Sequence, residues 1–408
     1  TGVQTCALPI SALLGMQYAL SLVILCLCSI FLLAMDFGVY RSLQSADKTV
    51  GIHVLHVLKT IQNQTAETTA NVPANSCSNH SFSVIIVTHN EPLLFKTVQS
   101  VLENTDPSNL FEIIILDDAS SKPVSFLHPH PKVRIIRSQT RQGLIRARIL
   151  GGNAGRGDNL AFIDAHVRVA PHWLRTPGTL LCANSRRLVN FINFALDARK
   201  FSPMESWHGL GSSATISISL EQSWGGGSPS EDTSPITLGM FATSRTWWSQ
   251  GEMDPGLLVW GGENVEISLR TWLCGGDIVV ARDSYVAHAF RQRFPYKLDK
   301  EQVVRNYARV AAVWMDAPYR RKFYKASGIR MKKGQLPFDI GNITERLEWK
   351  KRLQCKPFQW YADRFKGRAL CLPESMRKEQ TGSCGKWSLI SPRDYPMERI
   401  QKIFQRGV

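Results

Sequence analysis

No Cys-x-x-Cys pair occurs in the 408 residues, which removes the zinc ribbons and fingers that depend on that spacing. Internal repeats are also missing, so repeat architectures are excluded. The basic residues are dispersed, densest at YRRKFYKASGIRMKK, and lack the interleaved aromatics of an RNA-binding surface; no nucleic acid is expected as a partner. Charge of either sign is absent from the first 35 residues. Within them, residues 10–35 read ISALLGMQYALSLVILCLCSIFLLAM, long enough for a helix to cross a bilayer. A cleaved signal peptide is the competing reading, but the run exceeds a typical h-region and has no basic n-region. One transmembrane anchor is expected, with residues 1–9 ahead of it as a fragment of whatever flank precedes Thr1.

The hydrophobic share of 44% is enough for a large core, which sets the chain apart from disordered and fibrous sequences. Lys and Arg outnumber Asp and Glu by 49 to 33, a formal charge of +16, and this suits an anionic substrate or an anionic lipid surface. Of the nine cysteines, Cys26 and Cys28 fall in the apolar run, while Cys274, Cys355, Cys371 and Cys384 lie well beyond it, a distribution suited to an oxidising lumen. Asn63-Gln-Thr, Asn79-His-Ser and Asn342-Ile-Thr are glycosylation sequons, all C-terminal to the apolar run. Arg41 just after that run argues weakly the other way. A single-pass type II arrangement follows as the expectation: residues 36–80 a polar stem, residues 81–365 a luminal catalytic domain, residues 366–408 a tail.

From Ser81 onward, strands alternate with helices, which implies an α/β domain with mainly parallel pairing. SFSVIIVTHNE is a strand and polar turn; LLFKTVQSVLENT follows with Leu94, Val98, Val101 and Leu102 on one helical face. FEIIILDDAS and KVRIIRS are further strands, GLIRARILGGNA a helix with a glycine stop, and NLAFIDAH a fourth strand. Ligands of open α/β sheets bind beyond the carboxyl ends of the strands. Thr88, His89, Asn90 and Glu91 stand at the first of those ends, Asp117 and Asp118 at the second, Asp164 and His166 at the fourth. In an extended segment the Asp164 and His166 side chains share a face, and a carboxylate with an imidazole suits Mn2+ or a similar cation with positions left for phosphate oxygens. An isolated Asp-x-His is more often a capped turn. Further on, WGGEN reads as a tight glycine turn opening a helix with Val265, Leu269 and Trp272 on its apolar face.

Taken together, VIIVTHNE, LDDAS, RQGLIRAR, FIDAH, WGGENVEISLRTWLCGG, AHAFR, ARVAAVWMD and RLQCKPFQWY resemble the polypeptide N-acetylgalactosaminyltransferases, in that family's order, over roughly Ser83 to Tyr361. The resemblance implies a GT-A nucleotide-sugar transferase fold, a mixed, mainly parallel sheet flanked by helices and preceded by one transmembrane helix. It implies a Golgi membrane location and a retaining transfer of GalNAc from a UDP-sugar donor to Ser or Thr of a protein acceptor. It further implies a Mn2+ site of Asp164, His166 and His288; uridine contacts from Thr88 and Asp118; and a nucleotide lining of Arg141 and Ala165. Trp260 would lie by the sugar diphosphate, Arg291 and Tyr296 on a closing loop, and Glu263 and Asn264 at the transferred sugar, with Glu263, Asn264 and Arg291 as the catalytic group. Cys274 and Cys355 match a family disulfide.

The pattern departs in places. Thr237, Leu238 and Gly239 stand where the family has an Ala-Gly-Gly turn, Phe294 where some members have histidine, and Leu258 where an acid is common. Asp283 occupies a position usually held by a cysteine, so the second family disulfide is expected to be lost and Cys77 unmatched; Cys371 and Cys384 are expected to pair in the tail. Too few residues follow Tyr361 for the family's lectin domain, and none is expected. Two alternatives stay open: transfer of another UDP-sugar, favoured by the altered turn, and a silent relative that binds UDP or peptide.

Overall fold

Strand β1 (Phe82–Thr88) is buried on both faces almost throughout, as its uninterrupted β-branched run requires of a central parallel strand. The computed structural model describes residues 80–204, 213–225, 231–291, 299–370 and 397–405. The expected anchor at residues 10–35 and nearly all of the stem lie outside them; among the described residues no helix is long and apolar enough to cross a membrane.

Along the chain, β1 is followed by α1 (Leu94–Asn104), β2 (Leu110–Asp118), β3 (Val133–Ser138), α2 (Leu144–Ala154), β4 (Asn159–Asp164), β5 (Val167–Val169) and α3 (Arg175–Ala183). Then come β6 (Arg187–Asp197), β7 (Ser202–Met204), a hairpin of β8 (Ala214–Ile216) and β9 (Gln222–Trp224), β10 (Phe241–Ser244) and α4 (Arg245–Ser249). Helix α5 (Glu263–Leu273), β11 (Asp277–His288), α6 (Lys300–Trp314), α7 (Ala317–Ala326), α8 (Thr344–Arg352), α9 (Phe358–Arg364) and α10 (Met397–Phe404) complete the described elements.

The main sheet runs β3-β2-β1-β4-β10-β6-β11-β5, with β7 on β6. Its first half is parallel, as the alternation of strand and helix demands. The second half is less parallel than expected, because β10 runs antiparallel between β4 and β6, and β5 runs antiparallel to the end of β11. A strand as short as β5, two residues beyond β4, cannot return by a crossover, so it is added at the far edge by β11 instead.

Alternate residues of the strands feed two cores. Val84, Ile86, Ile113 and Ile115 face α1 and Trp173, whereas Ile85, Ile114 and Phe162 face α2, Trp247 and Trp248. Helix α2 does not stop at its glycines. It runs through Gly151 and Gly152, whose missing side chains admit Ile85 and the Trp248 indole; a Cβ at Gly152 would lie 2.6 Å from that ring. Glycine is needed again at Gly261 and Gly262, with φ of 96° and 91°, where the chain turns sharply into α5.

Cys274, at the end of α5, is bonded to Cys355 across 81 residues of sequence, as the resemblance implied. Cys182 on α3 is also disulfide-bonded, with its partner outside the described residues. That bridge, on α3, is one the sequence did not suggest; it is not the family's second pair, whose position is held by Asp283, a carboxylate that accepts a 2.6 Å hydrogen bond from Thr176. Cys77, Cys371 and Cys384 lie outside the described residues. Replacing Cys274 by Ser is expected to lower unfolding free energy by about 2–4 kcal/mol, read as a shifted denaturant midpoint; an unchanged midpoint would show that the bridge contributes nothing.

Candidate active site

Strand β4 pairs with β1 so that Asp164 lies opposite Val87, and both strands deliver their polar ends to one rim of the sheet. Ala165 and His166 form a turn, and β5 begins at Val167, so Asp164 and His166 face each other across a turn and not along a strand as expected. Thr97 of α1 holds that turn from behind: its hydroxyl donates to the Ala165 carbonyl at 3.0 Å and accepts the Val167 N–H at 3.0 Å. His288 arrives on the same rim because it pairs with Val167 in the β5–β11 ladder, with the Ala289 N–H donating to the His166 carbonyl. One ligand atom from each of Asp164, His166 and His288 falls within 4.8 Å of the others, and this trio is the metal-capable cluster found among the described residues.

The electrostatics of the trio favour a cation. Burial alone would raise the Asp164 pKa, but the His288 hydrogen bond and the Arg148, His288 and His166 charges hold it far below the usual carboxylate range. Burial lowers both imidazoles from the ordinary histidine value, against the pull of Asp164, so at neutral pH they are uncharged donors. Around them lie buried polar atoms without a hydrogen-bond partner: Thr88 Oγ1, Arg148 Nη1, His166 Nδ1 and His288 Nδ1. Orphaned groups at such density mark a place where a ligand supplies the missing partners. One ionised carboxylate and two neutral imidazoles fit Mn2+, whose remaining positions suit phosphate oxygens.

Two cavities meet at the trio. One, of about 320 Å³, is lined by Thr88, His89, Glu91, Arg141, Ala165 and Arg291. The other, of about 480 Å³, is lined by Arg148, Gln222, Leu238, Glu263, Asn264 and Tyr307. Leu144, Asp164, Trp260, His288 and Phe290 border both. Thr88, Arg141, Ala165, Trp260, Glu263, Asn264 and Arg291 thus come together as the sequence suggested. Asp118 stands one layer back and does not reach the cavity wall: its carboxylate pairs with Arg141 and accepts the N–H groups of Gln142 and Gly143, fixing the loop that presents Arg141. Asp117 faces away entirely, committed to Arg137 and to the Ser120 and Val124 N–H groups. Tyr296 and Phe294 lie outside the described residues.

Glu263 opens α5 with only 2% of its surface exposed; Oε2 accepts the Gly261 N–H at 2.8 Å. Burial raises its pKa, opposed by Arg148 and the backbone donors. Asn264 ties three elements together, accepting from the Gly239 N–H at 3.1 Å and donating to Gln222 at 3.2 Å. Gln222 in turn donates to Tyr307, a phenol that burial pushes up to about 12 and so keeps neutral.

Sequence reasoning placed Glu91 at the ligand end of β1 without a role and missed Arg148, Thr97, Gln222 and Tyr307. Arg148, 2% exposed and 3.0 Å from Asp164, lay in plain view on the quoted RQGLIRAR helix; its burial there was the undetectable part. Gln222 and Tyr307 carried no signal, since only the folded chain brings the β8–β9 hairpin against α6.

The fold that carries this carboxylate–imidazole trio is of the glycosyltransferase type. Residues 83–183 match the model of glycosyl transferase family 2. Polypeptide N-acetylgalactosaminyltransferase 16 of Mus musculus is 34% identical over 298 residues, 69% of this chain and 52% of that protein. The human enzyme numbered 14 is 34% identical over 300 residues, covering 69% and 53%, and a Caenorhabditis elegans protein described as a probable N-acetylgalactosaminyltransferase 6 is 30% identical over 389, covering 85% and 61%. The crystal structure of GalNAc-T7 with UDP, GalNAc and Mn2+ superposes with a TM-score of 0.60 at 28% identity, covering 70% of this chain and 56% of that one. Over the part that aligns, the chain belongs to the polypeptide N-acetylgalactosaminyltransferase family. It spans about half the length of most of the curated relatives just named.

Replacing His288 by Ala is expected to raise the Mn2+ dissociation constant at least about tenfold, since losing even an outer-shell partner of a metal ligand costs that much. Electron paramagnetic resonance of free Mn2+ measures this directly, and an unaltered constant would remove His288 from the ligand set.

Proposed function

We propose that this protein transfers N-acetylgalactosamine from UDP-GalNAc to Ser or Thr hydroxyls of protein acceptors, with Mn2+ as cofactor and with retention at the anomeric carbon. The observation that carries the reading is the meeting of the two cavities at Asp164, Trp260 and His288: a donor nucleotide on one side and a sugar with its acceptor on the other would share that seam. The similarity to GalNAc-T7, whose crystal structure holds UDP, GalNAc and Mn2+, supports the same assignment.

A divalent cation held by Asp164, His166 and His288 would supply positive charge to the departing diphosphate. The chain's own residues do the remaining work. Arg141 and Arg291 border the nucleotide side and add cationic stabilisation to the leaving phosphates. Arg148, buried between Asp164 and the sugar-side cavity, leaves Nη1 for a ligand oxygen. Glu263 and Asn264 hold the sugar in place, each already fixed by a backbone donor. On the front-face route, the bond from anomeric carbon to phosphate oxygen breaks, the acceptor oxygen bonds the same face, and its proton passes to the leaving phosphate oxygen.

Leu238 favours a second reading. Half-buried, it lines the sugar-side cavity beside Gly239, and its bulk would suit a UDP-sugar of a different shape there. One assay separates the possibilities: the purified protein is incubated with Mn2+, a panel of UDP-sugars and a Ser/Thr/Pro peptide, and the peptide is weighed. A HexNAc increment abolished by EDTA is the expected result; a hexose increment selects the second reading, and UDP binding without transfer selects a silent relative.

The same proposal has the domain in the Golgi lumen, anchored in the membrane through residues 10–35. Asn342 is exposed, so its sequon is expected to carry an N-glycan when the protein is made in animal cells. Peptide-N-glycosidase F should convert Asn342 to Asp, gaining about one mass unit by peptide mapping; an unmodified Asn342 in every molecule counts against luminal exposure.

A further inference from the structure

The carboxylate of Glu91 has no part in the ligand trio, yet its side chain is only 5% exposed and it stands on the wall of the nucleotide-side cavity. Its placement is rigid. Asn90, at φ 52°, donates its N–H to Ser120 and accepts from the N–H and hydroxyl of Ser121, so the turn after β1 is locked to the turn after β2. Glu91 Oε1 accepts the Leu93 N–H at 3.1 Å, which leaves Oε2 to face the site.

Two groups contend for that one oxygen. Arg291 forms an ion pair with Oε2, and His166 Nδ1 lies 3.1 Å from the same atom without being aligned as a hydrogen bond, its nitrogen otherwise unpartnered and buried. Ligating imidazoles bind metal best when a carboxylate accepts their second ring N–H, which fixes the ring and makes the other nitrogen more basic. Arg291, on the same wall, is a cation that a diphosphate also attracts. The acid cannot serve both partners fully at once.

We propose that Glu91 is a positioning residue that couples cation binding to nucleotide binding by exchanging partners: it holds Arg291 until a diphosphate takes that guanidinium, and then accepts the His166 Nδ1–H. The inference rests on the function proposed above. Removing the charge should therefore have opposite effects on the two ligands, which a merely structural acid would not produce. The Glu91→Gln side chain keeps an oxygen for the Leu93 N–H but grips neither His166 nor Arg291 as strongly.

The test uses UDP without metal, and Mn2+ first alone and then at saturating UDP. Wild type and Glu91→Gln are compared by electron paramagnetic resonance for the metal and by titration calorimetry for UDP. Mn2+ affinity at saturating UDP is expected to fall about tenfold while that for Mn2+ alone changes little, because only the nucleotide frees Glu91 for His166; metal-free UDP affinity rises about fivefold or more, in the range of coupling between linked sites. In an Arg291→Ala background the gain in UDP affinity should vanish, because the competing partner is gone. If both affinities fall together in Glu91→Gln, or if the gain persists without Arg291, the exchange is wrong although the functional reading stands. If wild type shows no Mn2+-dependent UDP binding, the functional reading falls and the exchange with it.

Discussion

Asp164 is kept ionised inside the fold, and the site is arranged around that one charge. Desolvation works against it, so the chain surrounds it with Arg148 at 3.0 Å and His288 at 3.2 Å. Each partner is expensive in its own way. Arg148 must be buried in a helix thinned by Gly151 and Gly152 so that α2 can lie close to the sheet and to Trp248. His288 must be carried to the rim by a long strand whose far end pairs antiparallel with β5.

The same constraint explains the division of labour between the acids that the strands deliver. Asp117 and Asp118 resemble Asp164 in sequence context, each at the end of an apolar run, yet both are taken up by backbone N–H groups and by arginines, Arg137 of β3 for the first and Arg141 of the loop after β3 for the second. They fix the scaffold, Asp118 through Arg141 on the cavity wall. Asp164 alone of the three is left facing two neutral imidazoles, and that difference separates a structural carboxylate from a ligand.

Glu91 and Arg148 show what a linear reading leaves out: Glu91 is placed at the ligand end of β1 but without its burial or partners, and Arg148 is not placed at all. Both sit within the stretches that carry the family resemblance, in VIIVTHNE and RQGLIRAR, but an acid after a strand and an arginine in a helix are ordinarily solvated. Their burial, and the neighbours that make burial tolerable, depend on Ser120, Ser121, Trp248 and Arg291, which are remote in sequence. The second disulfide is similar: Asp283 signalled the loss of one position, while the bridge through Cys182 needed the fold to disclose it.

By itself the sequence determined the alternation of strands and helices, the strand ends where polar residues gather, the glycine turn opening α5 and the Asp164–His166 pair, because periodicity and turn chemistry are local properties; His288 joined that pair only through the family resemblance. Tertiary structure decided the rest. It set β10 antiparallel in the middle of the sheet, moved Asp118 behind Arg141, brought Gln222 and Tyr307 to Asn264, and gave one oxygen of Glu91 to two claimants. These are outcomes of which surfaces pack together and which charges lose their water, and neither is written at any single position in the chain.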